Sequence, residues 1–436
     1  MTGAENMETE DTDTTAASSG GKNNKRQKRR KRRNLLTLER SNNVRKKSVD
    51  EDEASSSLNG DVAFKVVKTV VEHSHKRPIY AVAFNHYVSG PETYFATAAG
   101  NMINIYACYE VGNKIELRRS IVDTNTTEDY FALDWCYDLD VEQCRIVVSG
   151  ESAIIKVLDP VGGVMLQEKF GHGDTINELK TDPNNSMIFA SVSKDNSIRI
   201  WHLQDKVALI CLGGQKGHVD QVLSCDWSPD SSFLATCSMD HSIRMWRFDS
   251  KARGILHRKE HKHLDVNLSS DSDDDEENGT NRIGPYFLQF PNNECSDLHS
   301  DYVDCVRFIG HWLISKGSEK GGHLFRFGHA HEEPLKVYKD HTDRVTTRIR
   351  QFSLPSCDVW FLKFDISPLN DWVVFGGTDG VLFFFDLRNP VEDPETENGS
   401  VANFTLKVLQ AAIRQIVFDQ KGENIIVVGD DYTVFT

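Results

Sequence analysis

One stretch of this chain is written twice. Residues 171–201 read GHGDTINELKTDPNNSMIFASVSKDNSIRIW, and residues 217–246 read GHVDQVLSCDWSPDSSFLATCSMDHSIRMW. Both copies open on Gly-His and close on Ser-Ile-Arg-x-Trp; their first residues lie 46 apart and their tryptophans 45 apart. Neither copy carries a helical period. Each is a series of short β-branched and aromatic runs cut by Asp, Asn, Gly and Pro, the texture of several short strands. A unit of this size cannot bury its apolar faces alone and has to stack on copies of itself.

A period of about 40–45 residues with Gly-His near its start and Trp at its end is the pattern of a propeller blade of four strands. Weaker copies extend the series. One runs from about His75 to Tyr106, with Tyr in place of Trp, and a second from about Asp123 to Leu158, whose Asp134-Trp135 matches Asp226-Trp227. A fifth runs from His299 to about Phe325, a sixth from Asp358 to Phe385 with Thr378-Asp379-Gly380 as its turn, and a seventh from about Phe404 to Phe435. The expectation is an all-β, seven-bladed WD40 β-propeller over residues 63–436. Its last copy ends after a third strand, so residues 63–73, AFKVVKTVVEH, are expected to supply the fourth and to remove the exposed sheet edges.

The repeated residues suggest a buried polar relay inside each regular blade. His172 is expected beside Ser191, Asp195 and Trp201, and His218 beside Thr236, Asp240 and Trp246. The Asp sits in a tight turn and accepts from the His. The hydroxyl bridges the His to the indole N–H, because buried polar groups need such partners. The same residues could be read as a catalytic or metal set, but in this repeat the structural reading is far stronger.

Charge is unevenly placed on a chain of net charge −15. Residues 1–62 are polar, nearly free of aromatics and expected to be a disordered arm. Within them, KRQKRRKRR at 25–33 holds eight basic residues in nine and suggests a nuclear-import signal. Residues 251–298 read as an insertion between blades four and five, with DSDDDEE at 271–277 at its acidic centre. An acidic body argues against broad wrapping of duplex nucleic acid, so no specific nucleic-acid partner is expected. No apolar run is long enough for a membrane span. Nine cysteines without a Cys-x-x-Cys pair argue for a reducing compartment and against a thiolate zinc site.

No specific catalytic, cofactor or metal motif is present. Gly213-Gly214-Gln215-Lys216-Gly217 lacks the spacing and ending of a phosphate-binding loop and reads as a turn between blades. His261 and His263 read as solvated residues of a polar loop. Neither Gly-x-Ser-x-Gly nor His-Glu-x-x-His occurs. The chain is therefore expected not to be an enzyme.

Several stretches resemble the Polycomb-group WD-repeat proteins, the family of Extra sex combs and embryonic ectoderm development proteins. They are GHGDTINELK, SVSKDNSIRIW, SMDHSIRMW, YVDCVRF, ISKGSE, CDVWFLKF and AAIRQIVF. The resemblance runs from about residue 63 to 436. It implies a non-catalytic subunit of Polycomb repressive complex 2. Such a subunit holds an Enhancer-of-zeste methyltransferase through a helix on one face, alongside other subunits of the complex. It also implies an aromatic cage on the other face that binds trimethyl-lysine of histone tails and stimulates the methyltransferase. A nuclear location and transcriptional repression go with that reading. The competing reading is a generic WD-repeat adaptor of another nuclear assembly, in ubiquitin ligation or RNA processing.

The implied cage carries over residue by residue. The family's first aromatic matches Tyr80 in Pro-Ile-Tyr-Ala-Val, its second matches Phe131 in Glu-Asp-Tyr-Phe, and its Trp-Tyr pair matches Trp360 and Phe361. Arg414, in Ala-Ala-Ile-Arg, matches an arginine near the same rim. Two family tyrosines are thus phenylalanines here, keeping the ring face and losing the hydroxyl. A quaternary ammonium donates no hydrogen bond and is best held by ring faces. As a rim residue, Phe361 is expected to matter for binding and little for folding.

Overall fold

The computed structural model describes residues 69–71, 77–109, 114–256, 284–329, 344–388 and 399–436. The expected arm 1–62, its basic run at 25–33, the acidic stretch 271–277 and His261 and His263 lie outside them. The described residues form seven sheets, antiparallel but for one pair, and one short helix, Ser250–Leu256. The chain is an all-β, seven-bladed propeller.

Six sheets take consecutive segments: 81–122, 130–169, 176–212, 222–247 with 293–295, 303–353, and 365–407. The seventh joins 413–435 to Thr69–Val71, which runs antiparallel to Thr433–Phe435. The first strand of each sheet touches the first strand of the next, and that of blade seven touches that of blade one, so the ring closes. Seven apolar clusters fill the seven spaces between neighbouring blades. One joins Phe84 and Phe95 of blade one to Ile426 and Val428 of blade seven. Another joins Ile200 and Leu212 to Trp227 and Trp246 of blades three and four. Each sheet is therefore covered on both faces, which is why strands such as Phe233–Ser238 are buried along their whole length.

Polar bonds repeat from blade to blade. An acidic side chain of one inner strand accepts from a backbone N–H of the next: Asp134 from Thr181 at 2.7 Å, Asp226 from Phe308 at 2.8 Å and Asp365 from Phe418 at 2.8 Å. At the closure Gln415 accepts from the N–H of Val82 at 3.2 Å. The turn between the second and third strands holds one left-handed residue in every blade: Gly100, Ala153, Asn196, His241, Lys320, Gly380 and Tyr432, with φ between 53° and 79°. In five of these turns an acid stands directly before it, and Asp195 and Asp240 accept from the N–H two residues on.

Two boundaries read from the sequence are corrected. Residues 251–298 do not separate blades four and five. Asn293–Cys295 pairs with Ile243–Met245 as the outer strand of blade four, and Tyr286–Leu288 pairs in parallel with Ile210–Leu212 of blade three. The excursion thus falls within blade four, before its outer strand, because its third strand still needs a partner on that edge. Phe404 likewise belongs to blade six, whose outer strand is Phe404–Lys407; blade seven begins at Ile413.

Candidate functional site

Tyr80 stands directly before the inner strand Ala81–Asn85, and Phe131 opens the inner strand Tyr130–Asp138 at a bulge. Trp360 and Phe361 lie just before Asp365–Ile366. All of them sit where inner strands begin, at one face of the disc. The backbone there is tied down on both sides. Leu362 N–H donates to Asp304 at 3.1 Å, and Lys363 N–H to the carbonyl of Arg414 at 2.9 Å.

Three rings from three blades meet there. Tyr80 and Phe131 have centroids 5.1 Å apart at 67°, Tyr80 and Phe361 5.5 Å at 87°, and Phe131 and Phe361 6.0 Å at 70°. Three planes so inclined are arranged like the walls of a corner. Trp360 stands 5.7 Å from Phe361 at 87° and is 43% exposed. Arg414 lies 5.4 Å from the Tyr80 centroid and is fixed by a two-pronged bond to Asp430, at 2.6 and 2.7 Å. Burial raises the Tyr80 phenol against the opposing pull of Arg414, so the ring stays neutral at neutral pH.

Phe361 is not the rim residue that its place in the sequence suggested. It is only 4% exposed and holds a φ of 65°, rare for an aromatic residue. Its ring also faces a buried cation that sequence reading missed: Lys363 Nζ, 4.7 Å from the centroid. Lys363 donates to the carbonyl of Asn177 at 2.8 Å and lies 3.4 Å from Glu178, which also binds Arg307 at 2.9 Å. Burial would raise the Glu178 carboxyl, but Arg307 and Lys363 hold it well below the usual range. Glu178, Lys363 and Phe131 line a channel cavity of about 140 Å³. The alternation of charged and apolar residues in Arg307, Lys363 and Glu178 resembled ordinary strand faces, so nothing in one blade marked their meeting.

The relay residues lie in blades three and four, well away from these rings. His172 Nδ1 lies 2.9 Å from Asp195 and its Nε2 2.7 Å from Ser191 Oγ, which accepts from Trp201 Nε1 at 2.8 Å. The matching distances for His218, Asp240, Thr236 and Trp246 are 3.0, 2.9 and 3.0 Å. Burial lowers both histidines. Burial would raise both aspartates, but the histidine and serine donors hold them below the ordinary range. A neutral imidazole donating to a carboxylate fits both directions. Every polar atom of the relay has a partner, which leaves no free base or nucleophile.

A fold of seven repeated blades with this internal relay defines a WD-repeat propeller. The model of the WD domain, G-beta repeat, matches residues 163–202 and 209–247. The chain belongs to the Polycomb-group WD-repeat family. It is 30% identical over 408 residues to the Polycomb protein mes-6 of Caenorhabditis elegans, covering 82% of this chain and 87% of that one. It is 29% identical over 368 residues to the Polycomb protein esc of Drosophila melanogaster, covering 84% and 82%. A chain in the crystal structure of the Chaetomium thermophilum polycomb repressive complex 2 has the same fold. The TM-score is 0.69 at 19% identity, over 85% of this chain and 96% of that one.

Proposed function

We propose that this propeller is a non-catalytic scaffold subunit of a Polycomb repressive complex acting in the nucleus, and that it reads trimethyl-lysine on histone tails. The observation that carries the reader role is the corner formed by Tyr80, Phe131 and Phe361, with Trp360 beside it. A trimethylammonium cation cannot donate a hydrogen bond and is stabilised by ring faces at roughly 0.5–2 kcal/mol each, more when desolvated. Several such faces, less the cost of ordering the peptide, leave micromolar-class binding. Arg414, paired with Asp430, fixes the wall behind Tyr80.

The scaffold role follows from the family and from the shape. A closed ring offers two flat faces, and the reader uses only one. The other is open to a helix of an Enhancer-of-zeste-type methyltransferase and to other subunits of the complex. Binding of the mark on one face is proposed to stimulate that methyltransferase and so to sustain transcriptional repression.

Calorimetric titration with a histone-tail peptide bearing trimethyl-lysine tests the reader role. Binding of the methylated peptide and none of the unmodified one is expected, with Tyr80→Ala and Trp360→Ala each weakening it by about tenfold or more, near 1.4 kcal/mol. Equal binding of both peptides, or of neither, rejects the reader role. Purification from nuclei without a methyltransferase would instead reject the scaffold role and favour an adaptor of another assembly.

A further inference from the structure

The second hairpin of blade five holds side chains that neither the relay nor the aromatic corner explains. Among the described residues, His299, Glu319 and His323 are the one set of three histidine, cysteine or carboxylate side chains whose ligand atoms converge, all within 4.8 Å of one another. The sequence had suggested no metal site, because these residues are spread over two turns and match no ligand spacing.

Blade five departs from the relay of blades three and four at its last donor. His323 pairs across the hairpin with Ser315, and Phe325 with Leu313, the register in which Arg199 pairs with Ser191 and Trp201 with Phe189. Phe325 therefore stands where the other blades have Trp, and Ser315 has no indole to accept from. Its Oγ lies 2.7 Å from Nε2 of His299 and is free to take that proton. Nδ1 is then a lone pair, and it touches the Glu319 carboxylate directly. Two acceptors in contact need a proton or a cation between them.

Three further observations favour a cation. The Nδ1 of His323, in a side chain only 4% exposed, has no hydrogen-bond partner, and neither has Oε2 of Glu319. Orphaned buried polar atoms of this kind call for an explanation, such as an unseen ion. The two imidazoles meet edge to face with centroids 4.8 Å apart. Finally, residue 317 is glycine where a β-carbon would collide with Glu319 Oε2 and lie 2.6 Å from His299 Nδ1. The missing side chain is what lets the carboxylate and the imidazole share this space.

We propose that His299 Nδ1, His323 Nδ1 and a carboxylate oxygen of Glu319 form a site for a divalent transition metal, with zinc best suited to two imidazoles and one carboxylate. Tetrahedral bonds of about 2.0–2.2 Å hold ligand atoms roughly 3.4 Å apart, so side-chain rotations of about 1 Å close the set. Ser315 fixes the tautomer of His299 from behind, as an outer-shell acceptor does at metal sites. Glu319 is 21% exposed and gives the ion its way in and water its place as fourth ligand. The ion would clamp the turn at 299–302 onto the hairpin, doing in blade five what the indole does in blades three and four.

The full chain, stripped with a chelator and dialysed, is titrated with Zn2+ by calorimetry, and Co2+ is added separately as a spectroscopic probe. One tight equivalent of Zn2+, a raised Tm and Co2+ bands typical of four nitrogen and oxygen ligands are expected. Glu319→Gln and His323→Phe are each expected to lose that equivalent, while the double variant His261→Ala, His263→Ala keeps it. No binding at micromolar free Zn2+ would overturn the proposal and leave a shared proton between His299 and Glu319. Binding that persists unchanged in Glu319→Gln and His323→Phe would overturn it equally, by placing the metal elsewhere. Melting of each variant in chelator shows whether it is folded, and either folded variant suffices.

Discussion

Blades three and four and the face that gathers Tyr80, Phe131 and Phe361 both depend on aromatic rings, yet they are built in opposite ways. The relay of blade three lies within residues 172–201, in one hairpin stack, and its polar atoms find partners 10 to 23 residues away in the same blade. The three rings of the corner come from blades one, two and six, at positions 80, 131 and 361. The relay closes its hydrogen bonds inward and has nothing left to offer a ligand. The corner gathers ring faces from three blades, with Arg414 against Tyr80 and Lys363 against Phe361. The relay thus stabilises one blade from within, while the corner exists only where blades meet.

That contrast breaks most readily at the largest side chains. Trp246→Ala should destabilise the fold by about 3–5 kcal/mol in urea denaturation, the usual cost of emptying a buried aromatic site. It should leave the affinity for trimethyl-lysine peptide unchanged in the fraction that remains folded. Phe361→Ala should cost a comparable amount, because only 4% of the residue is exposed, and it should also abolish peptide binding. Phe361 is where the two designs overlap, and a variant that lost binding with no loss of stability would move it out to the rim.

Asp240→Asn should cost about 1–3 kcal/mol, since one carboxylate oxygen serves His218 and the Val219 N–H, the other serves Ser242, and an amide can accept with only one of the two positions. The pH dependence sharpens this. His172 and His218 titrate below their usual 6.5 in the fold, so their contribution is complete above that pH and is lost as pH falls through the lowered values. Asp195 and Asp240 titrate below 3.8, so their contribution is complete above it and is lost on further acidification. Stability should therefore fall on acidification from about pH 6.5 downward, first through the histidines and then, below 3.8, through the aspartates. Urea midpoints between pH 7 and pH 3 measure both slopes.

The smallest stability effect belongs to Trp360→Ala. The residue is 43% exposed, and its indole makes no hydrogen bond to the described residues, so the cost should stay at ~0.5 kcal/mol while peptide affinity falls about tenfold. A large drop in Tm for this variant would place Trp360 in the core and deny it a part in recognition.

Much of the ring was written in local order. The paired GH…SIRxW repeats, the Asp in each turn and the hydroxyl ten residues before each Trp are separated by less than one blade, and local hydrogen bonding and period suffice to predict how they meet. The family resemblance likewise singles out Tyr80, Phe131, Trp360, Phe361 and Arg414 from the sequence alone. Edges were harder. The outer strand of blade four is taken from Asn293–Cys295, far along the chain, because an unpaired edge accepts any extended segment that reaches it.

What the amino-acid order determined by itself is the blade: its four short strands, its turn and its buried relay, since these form among residues close in sequence. What only the tertiary structure decided is everything at the junctions. The burial of Phe361 and the Lys363–Glu178–Arg307 contacts in the channel depend on how strands from different blades are brought side by side. Sequence separation hides such meetings because closing the ring, and not any local preference, supplies the free energy that holds them together.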